Sequence, residues 1–249
     1  MSAKEVAKRA AAQIDFFYDV ASPYSWMAFE TLMRYRRLGV WDNTDIRLRP
    51  FFLAGVMKAT GNKPPATLKT KGLYMQRDVM RMAKHHGALL VPLKDPRAMY
   101  DTLSAQRLLS ATAMDAPGQL EGLTRELWRR LWGGGGDVAT DEQGLREACE
   151  GAGMDDDMAR ALLSRSADED VKERLKAETE AALQRGAFGA PWITLRMHDS
   201  SKHSSGDAED DADQKTARWE AFFGCDRFDV LAEAMGRPWL GPRPDLSNL

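Results

Sequence analysis

A strand-to-helix turn near the N-terminus constrains the fold of this chain more than any other feature. The run "IDFFYDV" (Ile14 to Val20) is apolar and aromatic and leads directly into turn residues, a pattern typical of a buried strand. Ser22 then provides a helix N-cap, Pro23 suits the first helical position, and apolar spacing predicts a helix that ends at Gly39. The run "DIRLRPFFL" (Asp45 to Leu53) predicts a second strand parallel to the first. The chain therefore opens with a βαβ unit.

A long helical segment separates this unit from the later strands. From about residue 55 to residue 185 the apolar spacing is helical, with glycines and acidic caps between helices. Strand patterns return in "PWITLRM" (Pro191 to Met197) and "RWEAFFG" (Arg218 to Gly224), and "DRFDVLAEAMG" predicts a final helix. The acidic, polar residues 198–217 between these strands predict a mobile hairpin insertion.

The order of these elements predicts an α/β fold with two domains. We expect one domain to comprise residues 1–55 and 184–249, and an all-helical domain of residues 56–183 to be inserted after the second strand. A βα turn followed much later by a proline that opens a strand resembles the thioredoxin-like fold. Redox members of that fold carry Cys-x-x-Cys at the helix start, whereas Ser22 and Ser25 occupy those positions here. This turn therefore cannot cycle a dithiol.

The composition limits which binding partners and which cellular compartment we expect for this protein. The net charge of -2, from 35 basic and 37 acidic residues, shows no excess that favours nucleic acid or an anionic membrane, so we expect small-molecule or protein partners. Two cysteines, Cys149 and Cys225, fit a reducing, intracellular compartment. The C-terminal Ser247-Asn248-Leu249 resembles a peroxisomal address and weakly favours that organelle over the mitochondrion or cytosol.

No histidine pattern predicts a metal site. His85 and His86 are adjacent on a predicted helix, so their side chains point about 100 degrees apart and do not suit joint ligation. His198 and His203 lie in the polar insertion, which favours a solvated loop. We therefore predict no metal.

Ser22 is the candidate functional side chain. Free N–H groups and the dipole of the helix favour a bound thiolate, which must come from a ligand because the turn has no cysteine. A hydrogen bond from Ser22 to the sulfur contributes roughly 1.5 to 3 kcal/mol, and the helix terminus adds about 0.5 to 1 kcal/mol. Together these lower a thiol pKa from about 8.5 to near or below 7. The alternative is that Ser22 serves only as the helix cap.

The chain resembles the kappa-class glutathione transferases over nearly its whole length. The resemblance rests on "FYDVASPYSWMAFE", "RLRPFFLAGVMKATGNKPP", "KGLYMQRD", "RGAFGAP" and "FFGCDRFDVLA". It implies a thioredoxin-like fold with an inserted helical domain, a homodimer, a role in detoxification, and glutathione as cosubstrate. The architecture also resembles that of the 2-hydroxychromene-2-carboxylate isomerases.

The resemblance also implies which residues bind glutathione. Ser22 takes the position of the serine that stabilises the thiolate, with Pro23 and Tyr24 beside it. Asn62 and Lys63 in "GNKPP" match a glutathione-holding asparagine and a plausible charge partner. Ala190, before an expected cis Pro191, offers its N–H and C=O to the glutathione backbone. Residues Cys225 and Asp226 align with a Ser-Asp pair, so a thiol replaces a hydroxyl and a mixed disulfide with glutathione is a further hypothesis.

Three functions remain open at this point. The first is conjugation of glutathione to a small hydrophobic electrophile, with organic hydroperoxide reduction as a further activity of the family. The second is glutathione-dependent isomerisation of 2-hydroxychromene-2-carboxylate, and the third is a non-catalytic binding module. We expect the second-substrate pocket to be lined by Tyr24, Trp26 and the segment Leu73 to Met80.

Overall fold

The computed structural model describes residues 11–93, 101–134, 141–197 and 219–246. Strand β1 (Ala12–Tyr18) is followed by helix α1 (Pro23–Arg37) and by strand β2 (Thr44–Pro50), which pairs with β1 in parallel. All seven residues of β1 are buried, as its apolar run predicts. The βαβ prediction is confirmed.

Two strand boundaries differ from the prediction. β1 ends at Tyr18 rather than Val20, and β2 ends at Pro50 rather than Leu53. Leu53 instead opens helix α2 (Leu53–Thr60). The chain leaves the strand because the backbone N–H of Phe52 donates to the Thr179 hydroxyl (3.0 Å), a partner 127 residues away that the local pattern does not reveal.

The described residues between β2 and β3 are predominantly helical, as predicted. After α2 the helices are α3 (Lys69–His86), α4 (Leu103–Asp115), α5 (Leu120–Trp132), α6 (Glu142–Gly151), α7 (Asp156–Arg165) and α8 (Glu169–Gln184). Asp141 and Asp155 cap α6 and α7 by accepting backbone N–H groups, so the acidic caps seen in the sequence act as helix starts. The division into two domains stays a prediction.

The C-terminal part completes a four-stranded mixed sheet in the order β2-β1-β3-β4. Strand β3 (Trp192–Met197) is antiparallel to β1 and to β4 (Glu220–Phe223), and helix α9 (Phe228–Ala234) follows. Both strands lie within the predicted runs. The predicted insertion, residues 198–217, and the C-terminal Ser247-Asn248-Leu249 lie outside the described residues.

Both faces of the sheet are covered. Ile14, Phe16 and Tyr18 of β1 join a large core with α1, α4 and α5, and Phe17 joins a smaller core with Phe51 and Trp192. Burying side chains of this size stabilises the fold by roughly 1.5 to 3 kcal/mol each. Because β1 is a central strand held from both sides, the turn at its C-terminal end, which carries Ser22, is fixed in place. This is the thioredoxin-like arrangement that the sequence predicts.

Candidate functional site

Ser22 lies between helix α1 and a loop from the other end of the chain. It is the N-cap of α1, and its Oγ accepts a hydrogen bond from the Ser25 backbone N–H (3.1 Å). The same hydroxyl donates to the Ala190 carbonyl oxygen (3.2 Å). The side chain is buried beside the first turn of the helix. Ser22 thus caps the helix as the simpler interpretation requires, and it also has a hydrogen atom to donate.

The loop that accepts the Ser22 hydrogen bond connects the other parts of the site. We name residues 186–191 the cis-proline segment, because the Ala190–Pro191 peptide bond is cis, as expected. Three separate parts of the chain bond to it. Ser22 donates to the carbonyl of Ala190, the Asn62 amide donates to the carbonyl of Phe188 (2.7 Å), and the Gly224 N–H donates to the carbonyl of Pro191 (3.2 Å). The structure therefore brings together the four segments predicted to form the site.

Asn62 and Lys63 lie at the exposed rim. Gly61 ends helix α2 in the left-handed conformation (φ 72°), which turns the chain toward the cis-proline segment. The Asn62 side-chain oxygen accepts from the Lys63 N–H (2.8 Å), so the orientation of its amide is fixed from both ends. Within the described ranges Lys63 has no ion-pair partner, which leaves its ammonium group available to an anionic ligand.

The turn before helix α9 carries Cys225 and Asp226. Burial raises the pKa of the Cys225 thiol to about 12, and the carboxylates of Asp226 and Asp78 add to the effect, so the thiol is protonated at neutral pH. This argues against a mixed disulfide there, because the thiolate is the reactive species. Asp226 is exposed and pairs with Arg227 (2.8 Å). Gly224 has a φ of +99°, and a Cβ there would meet the Asp226 carboxylate at 2.7 Å.

A cleft of about 410 Å³ opens beside the Ser22 turn. It is lined by Tyr24, Pro65, Thr70, Lys71, Tyr74 and Met75. The Tyr24 hydroxyl donates to Asp78 (3.2 Å), and burial, followed by the Asp78 charge, raises its pKa, so Tyr24 stays neutral. Tyr24 lines the cleft with Tyr74 and Met75 of the predicted segment Leu73 to Met80, whereas Trp26 does not. Trp26 is buried against the core and donates to Glu30 (3.3 Å).

Lys71 is a cleft residue to which the sequence analysis assigned no role. It lies in the first turn of α3 and has no ion pair within the part of the chain that the structure describes. The run "KGLYMQRD", quoted above for the resemblance, contains it, but only the fold shows that this lysine lines the same cleft as Tyr24 and Tyr74. The cleft therefore combines apolar walls with one cationic group.

No metal-binding group appears in the described ranges, where no three His, Cys, Asp or Glu side chains are suitably placed. His86 is buried and bonds the Thr31 hydroxyl (3.0 Å), and burial lowers its pKa to about 4. Its role is structural. The helices in the described ranges are all too short or too polar to span a lipid bilayer.

Comparison with known proteins agrees with this fold. A model of the DSBA-like thioredoxin domain matches residues 13–236. The human protein named glutathione S-transferase kappa 1 is 39% identical, covering 94% of this chain and 96% of its own. The 2-hydroxychromene-2-carboxylate isomerase of Pseudomonas putida is 30% identical, covering 90% and 94%. A solved structure of such an isomerase superposes with a TM-score of 0.66 at 25% identity, again covering 90% and 94%.

The fold and the site define a thioredoxin-like protein whose first helix begins at a turn that carries Ser22 and Ser25. The chain belongs to the DsbA-like thioredoxin-domain family and, within it, to the kappa-class glutathione S-transferases. The predictions of the fold class and of an enzyme of the transferase type are confirmed.

Proposed function

We propose that this chain binds glutathione and joins its sulfur to a small hydrophobic electrophile, with Ser22 stabilising the thiolate. The observation that carries the proposal is the Ser22 hydroxyl, which caps α1 while it lies 3.2 Å from the Ala190 carbonyl of the cis-proline segment. A peptide thiol bound along that segment would place its sulfur at the helix N-terminus. The names of the kappa-class relatives support glutathione as that peptide.

The charges around the site suit the charges of glutathione. Glutathione carries two carboxylates and one ammonium group at neutral pH. Lys63 and Lys71 are cations without ion pairs in the described ranges, and Asp226 is an exposed carboxylate near the opposite end of the cis-proline segment. Pairing between these groups would orient the peptide, while the N–H and C=O of Ala190 would bind its backbone in the manner of an added strand. Asn62 supplies a further amide donor.

Thiolate formation requires no general base in this proposal. The thiol proton passes to solvent, and the hydroxyl hydrogen of Ser22, released from Ala190, donates to the sulfur. Such a bond to an anion is worth roughly 1.5 to 3 kcal/mol, which corresponds to about one to two pKa units. The N-terminus of α1 adds about 0.5 to 1 kcal/mol. Thiolate thereby becomes the main species at neutral pH.

The cleft beside Tyr24 would hold the electrophile. The thiolate lone pair forms the new C–S bond, and the leaving group departs with its bonding pair; in a conjugate addition the neighbouring carbon takes a proton instead. The rings of Tyr24 and Tyr74 and the Met75 side chain favour a small apolar or aromatic substrate. Organic hydroperoxides are a further substrate class: the thiolate attacks the terminal oxygen, the O–O bond breaks and the alcohol leaves. A second glutathione thiol then displaces that oxygen as water and closes the disulfide.

Isomerisation of 2-hydroxychromene-2-carboxylate is the second candidate, because isomerases of that name match this chain in sequence and in fold. In that reaction the glutathione sulfur would add and then leave, so the same Ser22 would serve. The relatives that support the transferase reach 39% identity, whereas the isomerases reach 32%. A homodimer and an intracellular organelle stay predictions.

Turnover of 1-chloro-2,4-dinitrobenzene with glutathione at pH 7 tests the proposal. Ser22→Ala should lower kcat/KM by about 10- to 100-fold, the equivalent of one hydrogen bond to an anion. Ser25→Ala is the matched control, since the Ser25 hydroxyl lies in the same turn and has no hydrogen-bond partner among the described residues. Equal losses in both variants, or none in either, would contradict the proposed role of Ser22. Faster turnover of 2-hydroxychromene-2-carboxylate would favour the isomerase.

A further inference from the structure

A buried carboxylate, Asp19, joins the parts of the chain that carry the site. It lies in the turn between β1 and Ser22 and is fully buried. One of its oxygens accepts from the Ala21 N–H (2.9 Å), in the turn itself, and the other accepts from the Leu53 N–H (2.9 Å), the first residue of α2. The Thr102 hydroxyl, at the N-terminus of α4, bonds the same carboxylate.

These three bonds reach both sides of the candidate glutathione site. Ala21 immediately precedes Ser22, and the Ser22 N–H bonds the Asp19 carbonyl (3.0 Å). Leu53 begins the short helix that ends just before Asn62. The N-cap residue Phe52 has no side-chain acceptor, so the Asp19 carboxylate caps this helix by accepting the Leu53 N–H. Thr102 likewise makes no cap bond to its own helix and serves Asp19 instead. We name residues 53–62, helix α2 and the turn that follows it, the Asn62 arm. Asp19 therefore holds the Ser22 turn and the Asn62 arm at a fixed separation.

Gln106 of α4 completes this connection from the opposite side. It is fully buried, and its amide donates to the carbonyls of Tyr18 (2.9 Å) and Phe51 (2.7 Å), the ends of the two parallel strands. Its side-chain oxygen accepts from the Val20 N–H (3.4 Å). Two buried polar side chains, Asp19 and Gln106, thus bond backbone groups at the same pair of strand ends.

We infer that Asp19 is a positioning residue for glutathione: its ionised carboxylate sets the distance between the Ser22 turn and the Asn62 arm. This inference rests on the proposed function. Among the described residues, the three groups that bond the carboxylate are all donors, so the ionised form satisfies all of them, whereas a protonated Asp19 would turn one O–H toward a donor. Protonation should therefore loosen the two arms and weaken ligand binding.

The surroundings of Asp19 allow this change near physiological pH. Burial raises its pKa to about 6, and the bonds from Ala21, Leu53 and Thr102 partly offset that rise. The charged residues on the packed helices, Lys58 of α2 and Arg107 of α4, and Asp101 just before α4, are not among the causes of this shift. Tyr18 of its own strand is the titratable neighbour that responds to Asp19, and burial raises the pKa of Tyr18 far above neutrality.

Calorimetric binding of S-methylglutathione between pH 5 and pH 7.5 tests the inference, since this probe has no thiol to ionise. For the wild type we expect about three- to tenfold weaker binding at pH 5 than at pH 7.5. Asp19→Asn should bind weakly throughout, with a flat pH profile. Asp101→Asn is the control: it removes an exposed carboxylate close to Thr102 and should keep the wild-type profile.

Thr102→Val provides a second, nearly isosteric variant should Asp19→Asn fold poorly. It removes one of the bonds that lower the pKa of Asp19, so the midpoint of the pH profile should move to higher pH. An unshifted midpoint in this variant, or a wild-type profile in Asp19→Asn, would overturn the inference and leave the proposed function intact. A wild type that fails to bind the probe at any of these pH values would overturn both.

Discussion

At the scale of single residues, the Ser22 hydroxyl makes two hydrogen bonds at once. Its oxygen accepts the Ser25 N–H and its hydrogen goes to the Ala190 carbonyl, so a bound sulfur would take over the hydrogen without removing the helix cap. A serine here can therefore stabilise an anion while α1 stays intact. Cys225 differs: its thiol is buried and protonated, so it can act only as a weak donor.

Replacing Cys225 with serine tests whether the thiol is a weaker hydrogen-bond donor to glutathione than a hydroxyl. A hydroxyl is the stronger donor, so Cys225→Ser should lower the KM for glutathione about two- to fivefold, the equivalent of roughly 0.5 to 1 kcal/mol, with kcat unchanged. Cys149→Ala, which alters the other buried cysteine, on helix α6, should leave the KM unchanged. A higher KM in Cys225→Ser would show that the thiol contributes through packing instead.

At the scale of elements, the site depends on the turns that form hydrogen bonds with the cis-proline segment. The turn before α9 reaches it through the Gly224 N–H, and this turn requires a glycine. The φ of +99° disfavours any side chain, and a Cβ would meet the Asp226 carboxylate at 2.7 Å. Asp226 would therefore have to move, and it is the residue proposed to hold the ammonium group of glutathione.

Gly224→Ala should raise the KM for glutathione by about tenfold, because it displaces Asp226, and should lower the free energy of unfolding by roughly 1 to 2 kcal/mol. Gly236→Ala is the matched control: Gly236 also has a positive φ (63°), but its Cβ would meet nothing within 4 Å. The control should lose roughly 1 kcal/mol of stability and keep the wild-type KM. An equal rise of KM in both variants would contradict a specific role for the Gly224 turn.

At the scale of the whole molecule, a charge network ties the sheet to the last helix before the cis-proline segment. Asp15 of β1 is fully buried and pairs with Arg49 of β2 (2.5 Å) and Arg185 (2.5 Å), and Arg49 also pairs with Glu178 of α8 (2.6 Å). Burial alone raises the pKa of Asp15, but the charges and hydrogen bonds of Arg49 and Arg185 outweigh it and hold that pKa below its usual value. The ionised network therefore stabilises the fold.

Asp15→Asn should lower the free energy of unfolding at pH 7 by roughly 3 kcal/mol, since Arg185 loses its carboxylate partner and Arg49 keeps only Glu178. The folded pKa of Asp15 is depressed, so its contribution is present above the unfolded value near 4 and disappears as the pH falls below it. Urea denaturation of both proteins at several pH values measures the difference. A difference that stays constant down to pH 2.5 would show that the lost charge is not its source.

The strands and the helical segment could be predicted because their patterns are local, and Ser22 with Pro23 is a local helix-start signal. Asn62, Ala190 and Asp226 were named only through the resemblance to the kappa class, and their role in glutathione binding stays a prediction. Asp19 was missed because its partners, Leu53 and Thr102, lie 34 and 83 residues away along the chain. From the sequence alone, a carboxylate in a turn is expected to be exposed to solvent, whereas the fold buries Asp19 completely.

The most direct test of the account is the ultraviolet absorbance of the thiolate of bound glutathione, titrated across pH in the wild type and in Ser22→Ala. The account predicts a thiol pKa in the wild-type complex about one to two units below that in the variant, because the variant loses one hydrogen bond to the anion. The same pKa in both complexes, equal to that of free glutathione, would contradict it and leave Ser22 as a helix cap alone.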